Sequence, residues 1–338
     1  MATKVGINGF GRIGRQVFKA ITERYPGKLE VVAVNDLVAT EVNANLLKYD
    51  SNYGRWEKDI RAESDALIVD GRTIKVFAER DPGAIPWGSV GVDIVIESTG
   101  LFTDATKAAA HKRDSVKKVV ISAPAKNEDV TIVLGVNSDA YDPANHHVVS
   151  NASCTTNGLA PVVKVIVDNL GLQKGQMTTI HSYTNSQQIL DKAAGSDLRE
   201  MRAGALNIVP TSTGAARALK LVIPQVDGRL DGLAYRVPTP TVSIVEIVAL
   251  TEKDTTKEDL NNLLKESSLE KMKGILGFTT EPVVSMDMKG DERSSIVDGL
   301  STNVVGGNLV KVAAWYDNEW GYACRLSDLC SFLVDKGL

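Results

Sequence analysis

The chain has 338 residues, 43% hydrophobic and 24% charged, the proportions of an ordinary globular protein with room for two domains. Its 38 basic and 42 acidic side chains leave a formal charge of −4, which excludes bulk attraction to nucleic acid or anionic membrane, so any phosphate must be recognised locally. The most apolar runs, Val92 to Ile96 and Leu309 to Trp315, are too short to span a bilayer and no signal-type stretch opens the chain, so a cytoplasmic protein with no membrane partner and no dedicated nucleic-acid surface is expected.

The first third alternates β-branched runs with helical periodicity: Lys4 to Asn8, Gly11 to Glu23, Leu29 to Asn35 and Glu41 to Lys48. That order is a βαβ unit. Strands are predicted at Asp93 to Glu97, Lys118 to Ser122, Val130 to Leu134 and His147 to Ser150, with a helix at Thr103 to Lys112, so an α/β doubly wound parallel sheet of Rossmann type fits. Within it, Gly9, Phe10, Gly11, Arg12, Ile13 and Gly14 spell G-x-G-x-x-G between strand and helix. Gly9 permits the tight turn, Gly11 lets backbone approach a pyrophosphate, and Gly14 lets helix and strand pack. The helix start then faces the anion, with Arg12 adding charge. Asp36, about 20 residues further on, suits the adenosine ribose hydroxyls and repels a 2′-phosphate, favouring NAD over NADP.

After Asn151 the texture changes. Helical periodicity covers Asn157 to Asp168, a strand covers Met177 to Ile180, and later strands at Leu233 to Arg236 and Val242 to Leu250 suit antiparallel pairing. Tyr183 to Gly204 reads as a long irregular loop, a length usually reserved for function or an interface. Ala323, Leu326, Cys330, Leu333 and Val334 recur at helical spacing and give a closing amphipathic helix.

Three cysteines, Cys154, Cys324 and Cys330, form neither a disulfide framework nor a metal-type spacing. Cys154 stands out because Ser153-Cys154-Thr155-Thr156-Asn157 joins a strand to a helix, where N–H groups and the helix dipole favour a nucleophilic thiolate. Such a thiolate needs a histidine base. The candidates are His111, His146, His147 and His181, and spacing alone gives His181 only a slight preference.

These residues resemble the phosphorylating glyceraldehyde-3-phosphate dehydrogenase family, through Gly6 to Gly14 and Ser153 to Asn157. Similar too are His181-Ser182-Tyr183-Thr184-Asn185, Thr213-Gly214-Ala215-Ala216, Arg236 to Pro240 and Trp315 to Tyr322. The resemblance spans nearly the whole chain. It implies a dinucleotide-binding domain over 1–153, an α+β catalytic domain with a mainly antiparallel sheet over 154–318, and a closing helix, 319–338, packed back on the first domain. It also implies NAD-dependent oxidation of glyceraldehyde 3-phosphate through a thiohemiacetal and thioester on Cys154, with His181 as base and inorganic phosphate cleaving the thioester. By the same resemblance Thr184 and Arg236 hold the substrate phosphate, and Ser153, Thr155, Thr213 and Gly214 hold the attacking phosphate. Asn318 grips the nicotinamide carboxamide, while Thr99, Gly100 and Ser122 line the dinucleotide groove. The family assembles as a homotetramer.

This sequence departs from the family's pattern at several places. Ser186 replaces a usual aspartate, and Glu200 stands where a basic residue is usual, which implies weaker phosphate binding. The loop carries Lys192-Ala193 in place of a Leu-Pro pair associated with NAD preference, so use of NADP beside NAD is a secondary expectation. Gly158 replaces a cysteine often found four residues after the nucleophile, which rules out an internal disulfide there. The alternatives are an erythrose-4-phosphate dehydrogenase, disfavoured by the His181 to Asn185 motif, and a non-catalytic nucleotide- or RNA-binding scaffold, disfavoured by intact Cys154 and His181 and by the negative charge.

Overall fold

The structure is a computed structural model that describes residues 2–338. The chain forms two compact units. One comprises the chain through Ile132 together with Asp139–Ala152 and Ala323–Leu338, and the other Val133–Ser138 with Ser153–Tyr322. Val133–Ser138 thus belongs with the second unit although it precedes the boundary read from the sequence.

The first unit is built on a nine-stranded sheet. Its elements are β1 (Thr3–Asn8), α1 (Arg12–Arg24), β2 (Leu29–Asn35), α2 (Thr40–Lys48), the small hairpin of β3 (Tyr49–Asp50) and β4 (Gly54–Arg55), then β5 (Ile60–Ala62), β6 (Ala66–Val69), β7 (Arg72–Phe77), β8 (Ile94–Glu97), α3 (Ala105–Ala108), β9 (Lys118–Ile121), β10 (Val130–Thr131) and β11 (Val148–Ser150). The order is β10-β11-β9-β8-β1-β2-β7-β6-β5, with every pair parallel until β6 and β5 add antiparallel. The chain order reverses between β2 and β8 around β1, the switch point at which a doubly wound sheet opens a ligand crevice. The central strands read Val5, Ile7, Val34, Ile94 and Ile96, all fully buried, as expected for a sheet covered on both faces.

Two expectations were too long. The helix expected over Thr103 to Lys112 is α3 followed by a 3-10 turn at Ala109–His111, because Asp104 caps the first turn and a run of alanines supplies little apolar surface to hold more. The strand expected to Leu134 stops at Thr131. The closing helix, Trp320–Asp335, lies against the end of α1 within this unit, where Asp328 accepts from Arg24 Nη2 at 2.9 Å and from the Tyr25 hydroxyl at 2.6 Å.

The second unit contains α4 (Cys154–Leu170), β12 (Lys174–Ser182), β13 (Val209–Ser212), α5 (Ala215–Ala218), β14 (Leu230–Val237), β15 (Ser243–Leu250), α6 (Lys257–Leu269), β16 (Leu276–Thr279), β17 (Ser295–Asp298), β18 (Asn303–Val305) and β19 (Leu309–Tyr316). Its eight-stranded sheet is mainly antiparallel, in the order β13-β14-β12-β15-β19-β17-β16 with β18 beside β19. The antiparallel expectation holds for β15, which pairs that way with both β12 and β19. It fails between β14 and β12, which run parallel. That difference matters, because parallel pairing brings the carboxyl ends of both strands to one edge and sets His181 opposite Arg236. α4 packs on β15, β17 and β19, so its first residue is carried to the same edge.

Candidate active site

Cys154 is the first residue of α4, and the turn before it is closely specified. Ser153 caps the helix, its Oγ accepting from Thr156 N at 3.0 Å. Ala152, fully buried, adopts a left-handed φ of 55°, a strained conformation without glycine and one that recurs at functional turns. Gly158, one turn on, admits the ring of Tyr316: a Cβ there would lie 3.1 Å from Cγ, so a cysteine at this position would require the ring to move.

Of the four histidines, His181 alone meets a thiol, with Nε2 3.6 Å from Cys154 Sγ. The others are committed elsewhere. His111 has no exposed surface and bonds Glu97 and Trp87 through its two nitrogens. The Nδ1 atom of His146 accepts from Asp142 N, and His147 lies beside the Lys118 ammonium. On its far side His181 Nδ1 is 2.7 Å from the Ser182 carbonyl oxygen and 2.6 Å from Arg236 Nη1. Arg236 forms no ion pair among the described residues, and its Nε is buried with no acceptor. A half-buried guanidinium lacking a counter-charge is a ready anion site.

Burial pushes the Cys154 thiol up from its ordinary value, and this outweighs the Arg236 charge and the side-chain and backbone donors of Thr155, which pull it down. Burial, then the Arg236 charge, pushes His181 down to about 3. Both shifts favour the uncharged forms, whereas the helix start alone favours a thiolate.

The remaining residues of this unit divide by what their polar atoms already do. Asn318 Oδ1 accepts from the hydroxyls of Ser182 at 2.9 Å and Ser243 at 3.0 Å, which leaves its Nδ2 to donate elsewhere. Asp317, unnoticed in the sequence, braces that segment by accepting from Glu319 N, Trp320 N and Gly290 N. Thr213 Oγ1 accepts from Ala215 N at 3.1 Å, and a Cβ on Gly214 would meet nothing. Thr184 is held by Gln187 Oε1, to which its N–H donates at 2.8 Å. The Thr155 hydroxyl lies 3.0 Å from the buried Tyr316 hydroxyl, which also meets Thr179 Oγ1 at 2.8 Å. Tyr316 was not foreseen, since its partners lie more than a hundred residues away in sequence.

In the first unit the glycine loop has the geometry its residue types require. Gly9 has a φ of +89°, and a Cβ there would sit 2.7 Å from Thr99 N. A Cβ on Gly14 would collide with the Gly9 carbonyl oxygen, whereas one on Gly11 would meet nothing. Gly11 caps α1 without a side-chain bond, and the N–H groups of Ile13 and Gly14 find no acceptor among the described residues. An open helix start of this kind fits a pyrophosphate. Asp36 Oδ2 accepts from Phe10 N at 2.7 Å, so this carboxylate braces the loop.

The Phe10 ring is a core side chain, 5.8 Å from Phe18 edge to face, and contributes only backbone to the loop. Arg12 pairs with Asp50 at 3.2 Å, which offsets the charge expected to face the anion. Thr99 is positioned from below by Glu97, a buried carboxylate that accepts from the Thr99 N–H and hydroxyl, from Asn8 Nδ2 and from His111 Nε2. Trp87 Nε1 can only donate, so His111 Nδ1 accepts and the imidazole proton lies on Nε2, toward Glu97. Gly100 follows at a φ of +74°, and Ser122 N donates to the Glu97 carbonyl.

Comparison with known proteins assigns this architecture. Residues 3–105 match the family described as glyceraldehyde 3-phosphate dehydrogenase, NAD binding domain, and residues 153–318 match glyceraldehyde 3-phosphate dehydrogenase, C-terminal domain. Over 338 residues the chain is 55% identical to the glyceraldehyde-3-phosphate dehydrogenase of Priestia megaterium, and both chains are covered in full. The chain belongs to the glyceraldehyde-3-phosphate dehydrogenase family. It is 54% identical, again over the whole of both chains, to relatives of that name from Geobacillus stearothermophilus and, as glyceraldehyde-3-phosphate dehydrogenase 1, from Bacillus subtilis. The chain is accordingly an NAD-dependent glyceraldehyde-3-phosphate dehydrogenase, an oxidoreductase of glycolysis. No helix of the described residues is long and apolar enough to cross a membrane.

Proposed function

We propose that the chain oxidises D-glyceraldehyde 3-phosphate to 1,3-bisphosphoglycerate with Cys154 as nucleophile and His181 as base. The observation that carries this reading is the 3.6 Å approach of Cys154 Sγ to His181 Nε2 at the start of α4, beside an uncompensated arginine. Sγ bonds the aldehyde carbon to give a thiohemiacetal, and Nε2 takes its hydroxyl proton as hydride leaves the carbon. Bound NAD supplies the hydride acceptor. The thioester left on Cys154 is cleaved by an oxygen of inorganic phosphate, the C–S bond breaks, and Sγ is restored. Arg236 and Thr184 hold the substrate phosphate, while Ser153, Thr155, Thr213 and Gly214 hold the attacking one. The free Nδ2 of Asn318 orients the carboxamide of the dinucleotide, and the glycine loop with Asp36, Thr99, Gly100 and Ser122 holds the rest.

Reduced-cofactor formation from glyceraldehyde 3-phosphate should be sustained only with inorganic phosphate. Sustained turnover without it would indicate a hydrolytic aldehyde dehydrogenase instead. Exposed apolar side chains at Ile189, Leu190, Leu198, Leu206 and Ile208, in and after the long loop, support assembly as a homotetramer.

Glu200 accepts from the Thr211 hydroxyl at 3.0 Å, on the strand that leads to Thr213. Its carboxylate therefore lies on the approach to the attacking-phosphate residues and raises the phosphate requirement. Glu200→Arg is expected to lower the KM for inorganic phosphate a few-fold, about 1 kcal/mol, without changing the KM for aldehyde. An unchanged phosphate KM would remove that role.

A further inference from the structure

A buried hydrogen-bond network lies under the carboxyl ends of β1 and β8, and its polarity is fixed from both ends. At one end the Glu79 backbone donates its N–H to Asn35 Oδ1 and accepts from Asn35 Nδ2, each at 2.9 Å. Asn35 Nδ2 therefore also donates to Asn8 Oδ1, at 2.8 Å, which turns Asn8 Nδ2 toward Glu97. At the other end Trp87 Nε1 donates to His111 Nδ1 at 3.1 Å, so His111 presents its Nε2 proton to Glu97 at 3.0 Å. Thr99 gives Glu97 both its N–H and its hydroxyl proton, while its hydroxyl oxygen accepts from Leu101 N at 3.0 Å.

Four donors thus converge on one carboxylate that is 2% exposed, and none of them leaves room for a carboxyl proton. Glu97 is an anion. Its charge is not cancelled, because the Nδ1 lone pair of His111 is committed to Trp87 and the ring stays neutral. Among the described residues no lysine or arginine pairs with Glu97. Its hydrogen bonds hold the charge in place, and the field of that charge extends beyond them.

Topology says what the field meets. Glu97 ends β8, opposite Asn8 at the end of β1, while Asp36 follows β2 on the other side of β1. A dinucleotide that crosses this switch point with its pyrophosphate at the start of α1 and its adenosine ribose at Asp36 lays the nicotinamide half over the ends of β8 and β9. We propose that Glu97 makes the groove prefer the oxidised cofactor: its buried negative charge attracts the nicotinamide ring while the ring is cationic, and loses that attraction once hydride has made it neutral. Repulsion of the pyrophosphate is common to both forms and drops out of the comparison. The oxygens of Glu97 are fully engaged by Thr99, Asn8 and His111, so it is a specificity-determining residue that acts through its field and not by a bond to the cofactor.

The inference rests on the function proposed above, which puts the dinucleotide on the glycine loop, and the experiment separates the two. Dissociation constants of NAD, NADH and ADP-ribose are measured on the full chain without aldehyde. Glu97→Gln is expected to weaken NAD relative to NADH by about fivefold, and to change NADH and ADP-ribose by a common factor. Glu97→Asp disturbs the same hydrogen bonds but keeps the charge, so its NAD-to-NADH ratio should stay within about twofold of wild type. If Glu97→Gln weakens all three ligands equally, the carboxylate only braces the groove and the preference is wrong. If Glu97→Asp shifts the ratio as far as Glu97→Gln, hydrogen bonding and not charge is responsible, and the proposal again fails. Should Glu97→Gln not fold, the wild type decides: it must bind NAD more tightly than NADH, and equal or tighter binding of NADH overturns the idea. If the wild type binds none of the three, the proposed function itself fails.

Discussion

Cys154→Ser is expected to reduce phosphate-dependent reduction of NAD by a factor on the order of 10⁶, the scale on which loss of a nucleophile acts. The physical reason is specific to this site. His181 is a weak base here, held down by burial and by Arg236, and it can take a proton from a thiol far more readily than from an alcohol. A serine hydroxyl in the same place keeps the volume and the Ser153 cap, so NAD binding should be retained. A variant that keeps more than a hundredth of wild-type turnover would show that the covalent step is made elsewhere.

His181→Asn is the second large effect, expected to lower kcat by about 10²–10⁴ with little change in the KM for phosphate. Asparagine can still donate but cannot accept a proton at the position of Nε2, 3.6 Å from the sulfur. Two steps suffer, formation of the nucleophile and removal of the thiohemiacetal proton. The loss should therefore appear in the first turnover as well as at steady state. A variant whose first turnover is normal and whose steady-state rate alone falls would move His181 to acyl cleavage.

How much of this was visible in the sequence depended on how local the cause was. The glycine loop was legible because three glycines, each with its own steric reason, stand between a strand and a helix. The structure shows those reasons at Gly9 and Gly14 as contacts a Cβ would violate. Cys154 was legible because a Ser-Cys-Thr-Thr start places a capping serine directly before a thiol. Its base was named only through the His181 to Asn185 resemblance, and the neighbourhood of Arg236 was not legible, because only the parallel pairing of β12 with β14 brings Arg236 beside His181 and register is not written in one strand alone.

Burial was harder still. The helix start favours a thiolate, while burial of the Cys154 thiol acts in the opposite direction. The bracing roles of Glu97, His111 and Asp317 escaped notice for a related reason. Each is a buried polar group whose partners come from distant segments, and nothing nearby in sequence distinguishes it from a surface charge. Arg12 and Phe10 illustrate that the motif fixes backbone and not where the side chains go.

The most direct measurement mixes the protein rapidly with NAD and glyceraldehyde 3-phosphate in phosphate-free buffer, follows reduced cofactor, and then weighs the quenched chain. A burst of up to one reduced cofactor per active site should appear, stall, and leave a 3-phosphoglyceroyl group on Cys154 that added phosphate releases. Steady turnover with no burst and no acyl group on that sulfur would contradict the mechanism at its root.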